Sequence, residues 1–297
     1  MNRLYLLTAL IVILFLSCKQ KEEKQDLPPK SSGNIEKTKE DSKKSTAQPN
    51  VIVLDKQFKI ARLNRNRQIR IYLPPNYKNV DKKYPVLYMH DAQNLFDNAT
   101  SYSGEWGVDE SLNEVAKKTG LELIVVGIDN GQEKRMNELS PWENKEFGKA
   151  EGEEYMDFIV HRIKPYIDNN YRTLTDRENT AIMGSSMGGL ISHYAIYKYP
   201  NIFGKAGIFS PSYWFSDEVF SYIKNNPVPN DTRLFLLVGQ KEGDGMTVNT
   251  QKMYDQILSS KHPKENIKII IDPKGNHNEA FWREQFTYTV HWLFRNK

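Results

Sequence analysis

The stretch Thr180–Leu190, "TAIMGSSMGGL", restricts the fold of this 297-residue chain more than any other. An apolar run, "TAIM", leads into Gly184-Ser185-Ser186-Met187-Gly188, and an apolar helix-like run follows. That is G-x-S-x-G between a strand and a helix, the setting a nucleophile elbow requires. The turn is tight, so the backbone must pass close to its neighbours, and Gly184, Gly188 and Gly189 leave that room. The following helix points its N-terminus at Ser186, where free N–H groups and the helix dipole favour developing negative charge. The competing reading is a small-residue turn that happens to hold a serine. Ser185 fills a variable position and is assigned no chemistry.

The rest of the chain supplies strands and helices in alternation. Candidate strands are 68–74, 85–90, 122–128, 179–184, 205–210, 233–239 and 267–272. The later ones are short and almost wholly apolar, as in a parallel sheet covered on both faces. Helix-like stretches lie at 108–118, 151–169, 187–199, 247–260 and 279–295. The alternation predicts an α/β fold with a mostly parallel central sheet and helices on both faces. Pro74-Pro75 ends an early strand and suits an outer hairpin ahead of the parallel part.

The N-terminus has a different character. "MNRLYLLTALIVILFLSC" carries one early arginine and an apolar run from Leu4 to Leu16, shaped like a signal peptide and short for a membrane span. Cys18 is the sole cysteine, so no intramolecular disulfide is available. Phe15-Leu16-Ser17-Cys18 resembles a bacterial lipobox, with Phe15 in place of the usual leucine. That resemblance implies a leader, residues 1–18, that is removed as Cys18 is lipidated; an ordinary signal peptide with an incidental cysteine is the alternative. Lys21-Glu22-Glu23 resembles a surface-export signal of some Gram-negative lipoproteins, or is simply part of a charged linker. Residues 19–50 are rich in Lys, Glu, Ser and Pro and poor in large apolar groups, so they predict a disordered charged tether. The folded body is then 51–297. The expected location is a membrane-anchored lipoprotein on an extracytoplasmic face, periplasmic or at the cell surface of a Gram-negative outer membrane.

Charge excludes one class of partner. The net charge is +4, but residues 1–50 hold nine Lys and Arg against six Asp and Glu. The body is therefore near neutral and offers no basic footprint for nucleic acid.

A serine needs a base. On this kind of fold the chain order is Ser, acid, His. His262, His277 and His291 lie downstream with room for an acid between. His262 sits in a polar turn and His291 in the last amphipathic stretch. His277, in "DPKGNHNEAFW", falls between the last strand and the last helix, where a loop would reach the edge from which Ser186 emerges. The acid should follow "RLFLLVG": Glu242 is favoured, Asp244 is the alternative acid, and a Ser-His dyad is a third possibility. The oxyanion hole needs two backbone N–H groups, one from Met187 and one from Ala92 or Gln93 in the loop after "PVLYMH". His90 and Asp91 are expected to brace that loop. A metal site at His90, Asp91 and Asp97 lacks a complete ligand set, and no metal or organic cofactor is expected. Arg135 and Trp142 on one loop, and Tyr213 and Trp214 on another, are candidates for shaping a substrate pocket. The alternatives are an Arg135–Glu138 ion pair that braces the loop and a Trp214 buried in the core.

With these residues in view, the body resembles the Putative esterase family of α/β-hydrolases, the group of esterase D, enterochelin-esterase-like proteins and family 1 carbohydrate esterases. The matching stretches are "YLPPNY", "PVLYMHDAQNLFD", "GEWGVDESL", "IVVGIDNGQEKRMNELSPW", "IKPYIDNNYRTLTDRENTAIMGSSMGGL", "IFSPSYWF" and "GNHNEAFWREQF", spread over nearly all of 51–297. The resemblance implies Ser186 as nucleophile, His277 as base and the loop after His90 as oxyanion donor. Ala92 stands where the pattern expects glycine, and the acid position is not fixed by the resemblance. It implies a serine carboxylic-ester hydrolase, with a small-molecule or glycan ester as substrate, such as an acetylated or feruloylated polysaccharide or a siderophore ester. The rivals are a thioesterase or peptidase on the same fold and a non-catalytic binding lipoprotein.

Overall fold

The computed structural model describes residues 43–295. The expected signal peptide, Cys18 and most of the expected tether therefore lie outside the described residues.

Eight strands form the central sheet: β1 (Val51–Val53), β4 (Ile69–Tyr72), β5 (Val86–His90), β6 (Ile124–Ile128), β7 (Thr180–Ser185), β8 (Lys205–Phe209), β9 (Arg233–Gly239) and β10 (Ile267–Asp272). Their order is β1-β4-β6-β5-β7-β8-β9-β10. From β6 to β10 every neighbour is parallel; β4 runs antiparallel to both β1 and β6. The expected outer antiparallel part is thus present, joined by a two-stranded hairpin of β2 (Phe58–Ile60) and β3 (Arg65–Arg67).

Alternation along each strand builds two cores. Tyr88, Val126, Ile182, Ile208 and Leu236 point to one face, while Leu87, Val125, Met183, Phe209 and Leu237 point to the other. The first face is covered by α3 (Gly152–Phe158), α4 (Lys164–Asn170), α5 (Met187–Lys198), α6 (Glu218–Asn225) and α7 (Asp244–Ser259). The second is covered by α1 (Val108–Thr119) and α8 (Glu279–Phe294). A fully sandwiched strand has no solvent face, which is why these strands read as continuous apolar runs. Residues 151–169 form helix as expected, with a π-helical turn at Ile159–Ile163 between α3 and α4. The short α2 (Arg135–Glu138), α6 and β1 to β3 were not expected.

The body also begins earlier than residue 51. Lys43 Nζ donates to Ser101 O at 3.0 Å, Thr46 Oγ1 to Glu105, Gln48 N to Asp109 Oδ2 at 2.8 Å and Asn50 Nδ2 to Leu73 O at 2.6 Å. Composition gave these polar residues to the tether. Hydrogen bonds to buried carboxylates and to main-chain carbonyls hold them on the body without any apolar burial of their own.

Topology places the site. β5 leads through α1 to β6 on one side, and β7 leads through α5 to β8 on the other. The crevice at the carboxyl ends of β5 and β7 is a topological switch point, where ligands bind in open α/β sheets.

Leu236, 0% exposed at the centre of β9, measures how tightly the first core is packed. Leu236→Ala should cost about 2–5 kcal/mol in urea unfolding, through lost transfer energy and the cavity left behind.

Candidate functional site

At the end of β7 the backbone turns at Ser186 with φ 59° and ψ −122°, a conformation L-residues rarely adopt. Contacts on every side enforce it. A Cβ on Gly184 would stand 2.8 Å from the Gly188 backbone, and one on Gly189 2.6 Å from Phe209 O. Ser186 N donates to Phe209 O at 2.9 Å, and Ser186 O accepts from Leu190 N at 3.0 Å and Ser212 N at 3.1 Å. From Thr180 to Leu190, Ser186 alone is not fully buried. Its Oγ lies 3.2 Å from Ser212 Oγ. The following α5 is buried from Met187 to Tyr197, so the elbow rests on a helix fixed by core packing.

His277 and Glu242 arrive on the loops after β10 and β9. Those loops meet backbone to backbone: a Cβ on Gly239 would fall 2.3 Å from Gly275 C, and Lys241 N donates to Gly275 O at 3.1 Å. His277 Nδ1 and Glu242 Oε2 are 2.7 Å apart. The Glu242 carboxylate is fully shielded from solvent, whereas the His277 side chain is 38% exposed. Glu242 Oε1 accepts from Gly239 N at 2.7 Å and from Ser210 Oγ at 2.6 Å; Ser210 Oγ in turn accepts from Trp282 Nε1 at 2.9 Å. Trp282 meets the His277 ring edge to face, with centroids 5.1 Å apart. Of the two candidate acids, Glu242 reaches His277; Asp244 is exposed at the start of α7. Among the described residues Ser186 Oγ and His277 share no hydrogen bond, but both line one cavity of about 930 Å³.

The opposite wall comes from the loop after β5. Asp91, at φ 57°, opens a 3-10 turn over Ala92–Asn94. The N–H groups of Ala92 and Gln93 begin that turn and that of Met187 begins α5, so none has an acceptor within its own helix. Ala92 is 1% exposed, its Cβ packed against Gly127, while Gln93 lines the cavity and accepts from Asn130 N through Oε1 at 3.2 Å. His90 and Asp91 brace the loop. His90 Nδ1 lies 2.8 Å from Tyr155 OH, and burial lowers its pKa to about 4.

Arg135 lines the cavity but is already bound. Its Nε and Nη2 donate to Asp91 Oδ1 and Oδ2 at 2.6 and 2.9 Å, so its partner is Asp91 and not Glu138. Glu138 pairs instead with Arg65 and Arg67. Burial alone would push the Asp91 carboxyl up, but the charge and hydrogen bonds of Arg135, with one from Asn130, hold it below the usual range. The aromatic candidates do not line this cavity. Trp142 is packed edge-on against Tyr194 and Tyr222. Tyr213 is 1% exposed, with its OH 2.6 Å from His193 Nδ1. Trp214 is exposed, not core as the alternative had it, and lies against Phe147 and Phe215. Packing claims the first two because their loops fold back onto the first core instead of over the elbow. Sequence reasoning missed Ser210, Ser212 and Glu279, and the Arg70–Asp129 pair at 2.8 Å on the cavity wall. Burial, with Asp91 adding to it, raises the pKa of Glu279.

The comparisons with known proteins fit this geometry. A family model described as Putative esterase matches residues 60–293. The uncharacterized protein YbbA of Bacillus subtilis (strain 168) is 28% identical over 244 residues, covering 77% of this chain and 93% of its own. The BES protein from Bacillus cereus superposes with a TM-score of 0.68 at 22% identity, covering 84% of this chain and 97% of its own. Enterochelin esterase from Shigella flexneri gives 0.66 at 19% identity, covering 84% and 59%. These structures share the α/β-hydrolase fold with this chain.

Asp91→Asn should destabilise the protein by about 1–3 kcal/mol, because Arg135 loses its carboxylate in a mostly buried place. A depressed folded-state pKa means the pair is at full strength above the ordinary carboxylate range near about 4 and weakens as pH falls through the lower folded value. Urea unfolding of wild type and variant should therefore differ at pH 7 and converge in acid.

Proposed function

Because the chain belongs to the Putative esterase family, we propose that it is a serine carboxylic-ester hydrolase working through an acyl-enzyme. The observation that carries this reading is the buried Glu242 carboxylate 2.7 Å from Nδ1 of His277, which lines the same cavity as the strained Ser186 elbow. A Glu242-bound Nδ1–H leaves His277 Nε2 as the basic nitrogen. Ser186 Oγ exchanges its Ser212 contact for His277 Nε2 by rotation about χ1, a tightening common once substrate is bound. Ser186 Oγ then attacks the ester carbonyl carbon as His277 takes its proton. The carbonyl oxygen becomes an oxyanion, held by Met187 N–H and by a backbone N–H of Ala92 or Gln93. The C–O bond to the alcohol breaks as His277 returns the proton to the leaving oxygen. Water, deprotonated by His277, then attacks the acyl carbon, and the bond to Ser186 Oγ breaks as His277 returns the proton to that oxygen, releasing the acid. Glu242 keeps the imidazole oriented and stabilises its protonated form.

For the substrate class we infer an ester outside the cytoplasm, on an acylated or feruloylated carbohydrate or a siderophore. Two things support it: the lipobox-like residues 15–18, and the likeness to structures that include an enterochelin esterase. The polar walls built by Arg70, Asp129, Arg135 and Asn130 suit a hydroxylated substrate better than a long acyl chain.

Hydrolysis of p-nitrophenyl acetate, butyrate and octanoate by the full chain tests the mechanism. Ser186→Ala should lower kcat on the order of 10⁶-fold and Glu242→Gln on the order of 10⁴-fold, with both variants folded. Acetate should be turned over faster than octanoate. Equal residual rates in wild type and Ser186→Ala would leave a non-catalytic binding protein as the better account. Cleavage of a peptide panel with none of these esters would point to a peptidase.

A further inference from the structure

Away from Ser186, the stretch "GEWGVDE" gathers three carboxylates. The chain turns at Gly107 (φ 59°) into α1, which places Asp109 and Glu110 in the first helical turn, and Glu105 folds back onto them. One carboxylate oxygen from each residue lies within 4.8 Å of the other two. All three are largely out of water: Asp109 is 0% and Glu105 7% exposed, and Glu110 is half-buried.

Protein donors satisfy only part of this group. Thr46 Oγ1 lies 3.0 and 2.9 Å from the two Glu105 oxygens, and Gln48 N donates to Asp109 Oδ2 at 2.8 Å. Asp109 Oδ1 and Glu110 Oε2 are buried with no hydrogen-bond partner among the described residues. The cation at hand is Arg283, which donates to the Glu105 main-chain carbonyl and lies beside Gly107. Three carboxyl groups face this one guanidinium, and burial together with the neighbouring Glu110 carboxyl raises the pKa of Asp109 to about 8, so the group holds a proton unless a cation takes its place. The α1 dipole favours acids in its first turn, worth about 0.3–1 kcal/mol each. It provides no donor for the two bare oxygens, and leaving such oxygens unpaired costs more than that.

We propose that Glu105, Asp109 and Glu110 form a divalent-cation site that takes Ca²⁺. Two oxygens touching one Ca²⁺ can be up to about 5.2 Å apart, so the cluster has the right span. A site built from three carboxylates, with the Thr46 hydroxyl beside it, suits Ca²⁺. Mg²⁺ usually keeps several waters and takes one or two carboxylates. The ion's consequence is mechanical. It joins residues 46–48, the stem of the body, to the segment 101–106, of which Ser101, Tyr102, Ser103 and Trp106 line the large cavity. Nothing in this inference depends on the hydrolase reading.

The test uses the full chain, treated with chelator and exchanged into metal-free buffer. Tb³⁺ serves as the first probe, because Trp106, next to Glu105, would sensitise its emission. Ca²⁺ should then displace Tb³⁺, bind one per chain in calorimetry with a Kd on the order of 10⁻⁴–10⁻³ M or tighter, and raise Tm. Glu110→Gln should weaken binding at least tenfold and abolish the Tm shift. Glu105→Gln is the second variant should the first not fold. If wild type shows no sensitised emission, no Ca²⁺ heat and a Tm independent of Ca²⁺, the proposal falls, and a proton shared by Asp109 and Glu110 explains the cluster. Binding that survives both substitutions overturns it too, because the ion is then elsewhere.

Discussion

Two backbone-to-backbone contacts hold the site together. Where the loops after β9 and β10 cross, Gly239 and Gly275 leave no space for a Cβ on either side. Where α5 leaves β7, Gly184 has no space for a Cβ against the Gly188 backbone. The first contact brings His277 to Glu242; the second sets the turn that lifts Ser186 out of the sheet. Neither depends on a flexible side chain, so the positions of the three groups are inherited from the spacing of β7, β9 and β10. A residue in the Ser186 conformation carries strain of about 1–3 kcal/mol. Three main-chain hydrogen bonds at that residue and the burial of α5 over-determine the turn.

The same framework satisfies the buried Glu242 carboxylate. Glu242 Oε1 receives Gly239 N–H and the Ser210 hydroxyl, and Trp282 fixes the direction of that hydroxyl by donating to it. With Oε1 saturated, Oε2 is the oxygen available to His277. Charged groups buried without partners would be costly. Here each oxygen of Glu242 has a donor aimed at it, and the loop is held in one geometry as a result.

Much of this was legible in the residues. The seven long strands and five main helices fall within a few residues of where periodicity placed them, because a strand covered on both faces must be apolar throughout. β1 to β3 escaped notice because three residues offer at most two core side chains, too few to show a period. The boundary at residue 51 was late because Lys43, Thr46 and Gln48 are held by hydrogen bonds, which hydropathy does not register. At the candidate site, motif and chain order pointed to Ser186 and His277, and the structure brings both to one cavity. Glu242 and Asp244 are separated by one residue, and only the 3-10 turn at Gln240–Glu242 distinguishes the carboxylate facing the crossing from the one facing solvent. Trp142 and Tyr213 misled because a sequence does not say which way an aromatic on a loop will fold. Ser210 had no signal beyond its place at the end of β8.

The contrast between His90 and His277 shows why chain position outweighs proximity here. Both line the cavity that holds Ser186. His90 ends β5, inside the sheet, so its ring is buried, its Nδ1 meets the Tyr155 hydroxyl, and burial disfavours its charged form. A base must accept a proton and carry the charge through a transition state. His90 has no carboxylate bonded to its ring to support that charge, since Asp91 beside it is already bound to Arg135 through both oxygens. His277 ends a loop instead. Its side chain reaches solvent, and a carboxylate with no other cation paired to it among the described residues faces its Nδ1. The sheet interior thus supplies a histidine that braces the loop, and the loop crossing at Gly239 and Gly275 presents the other to a buried carboxylate.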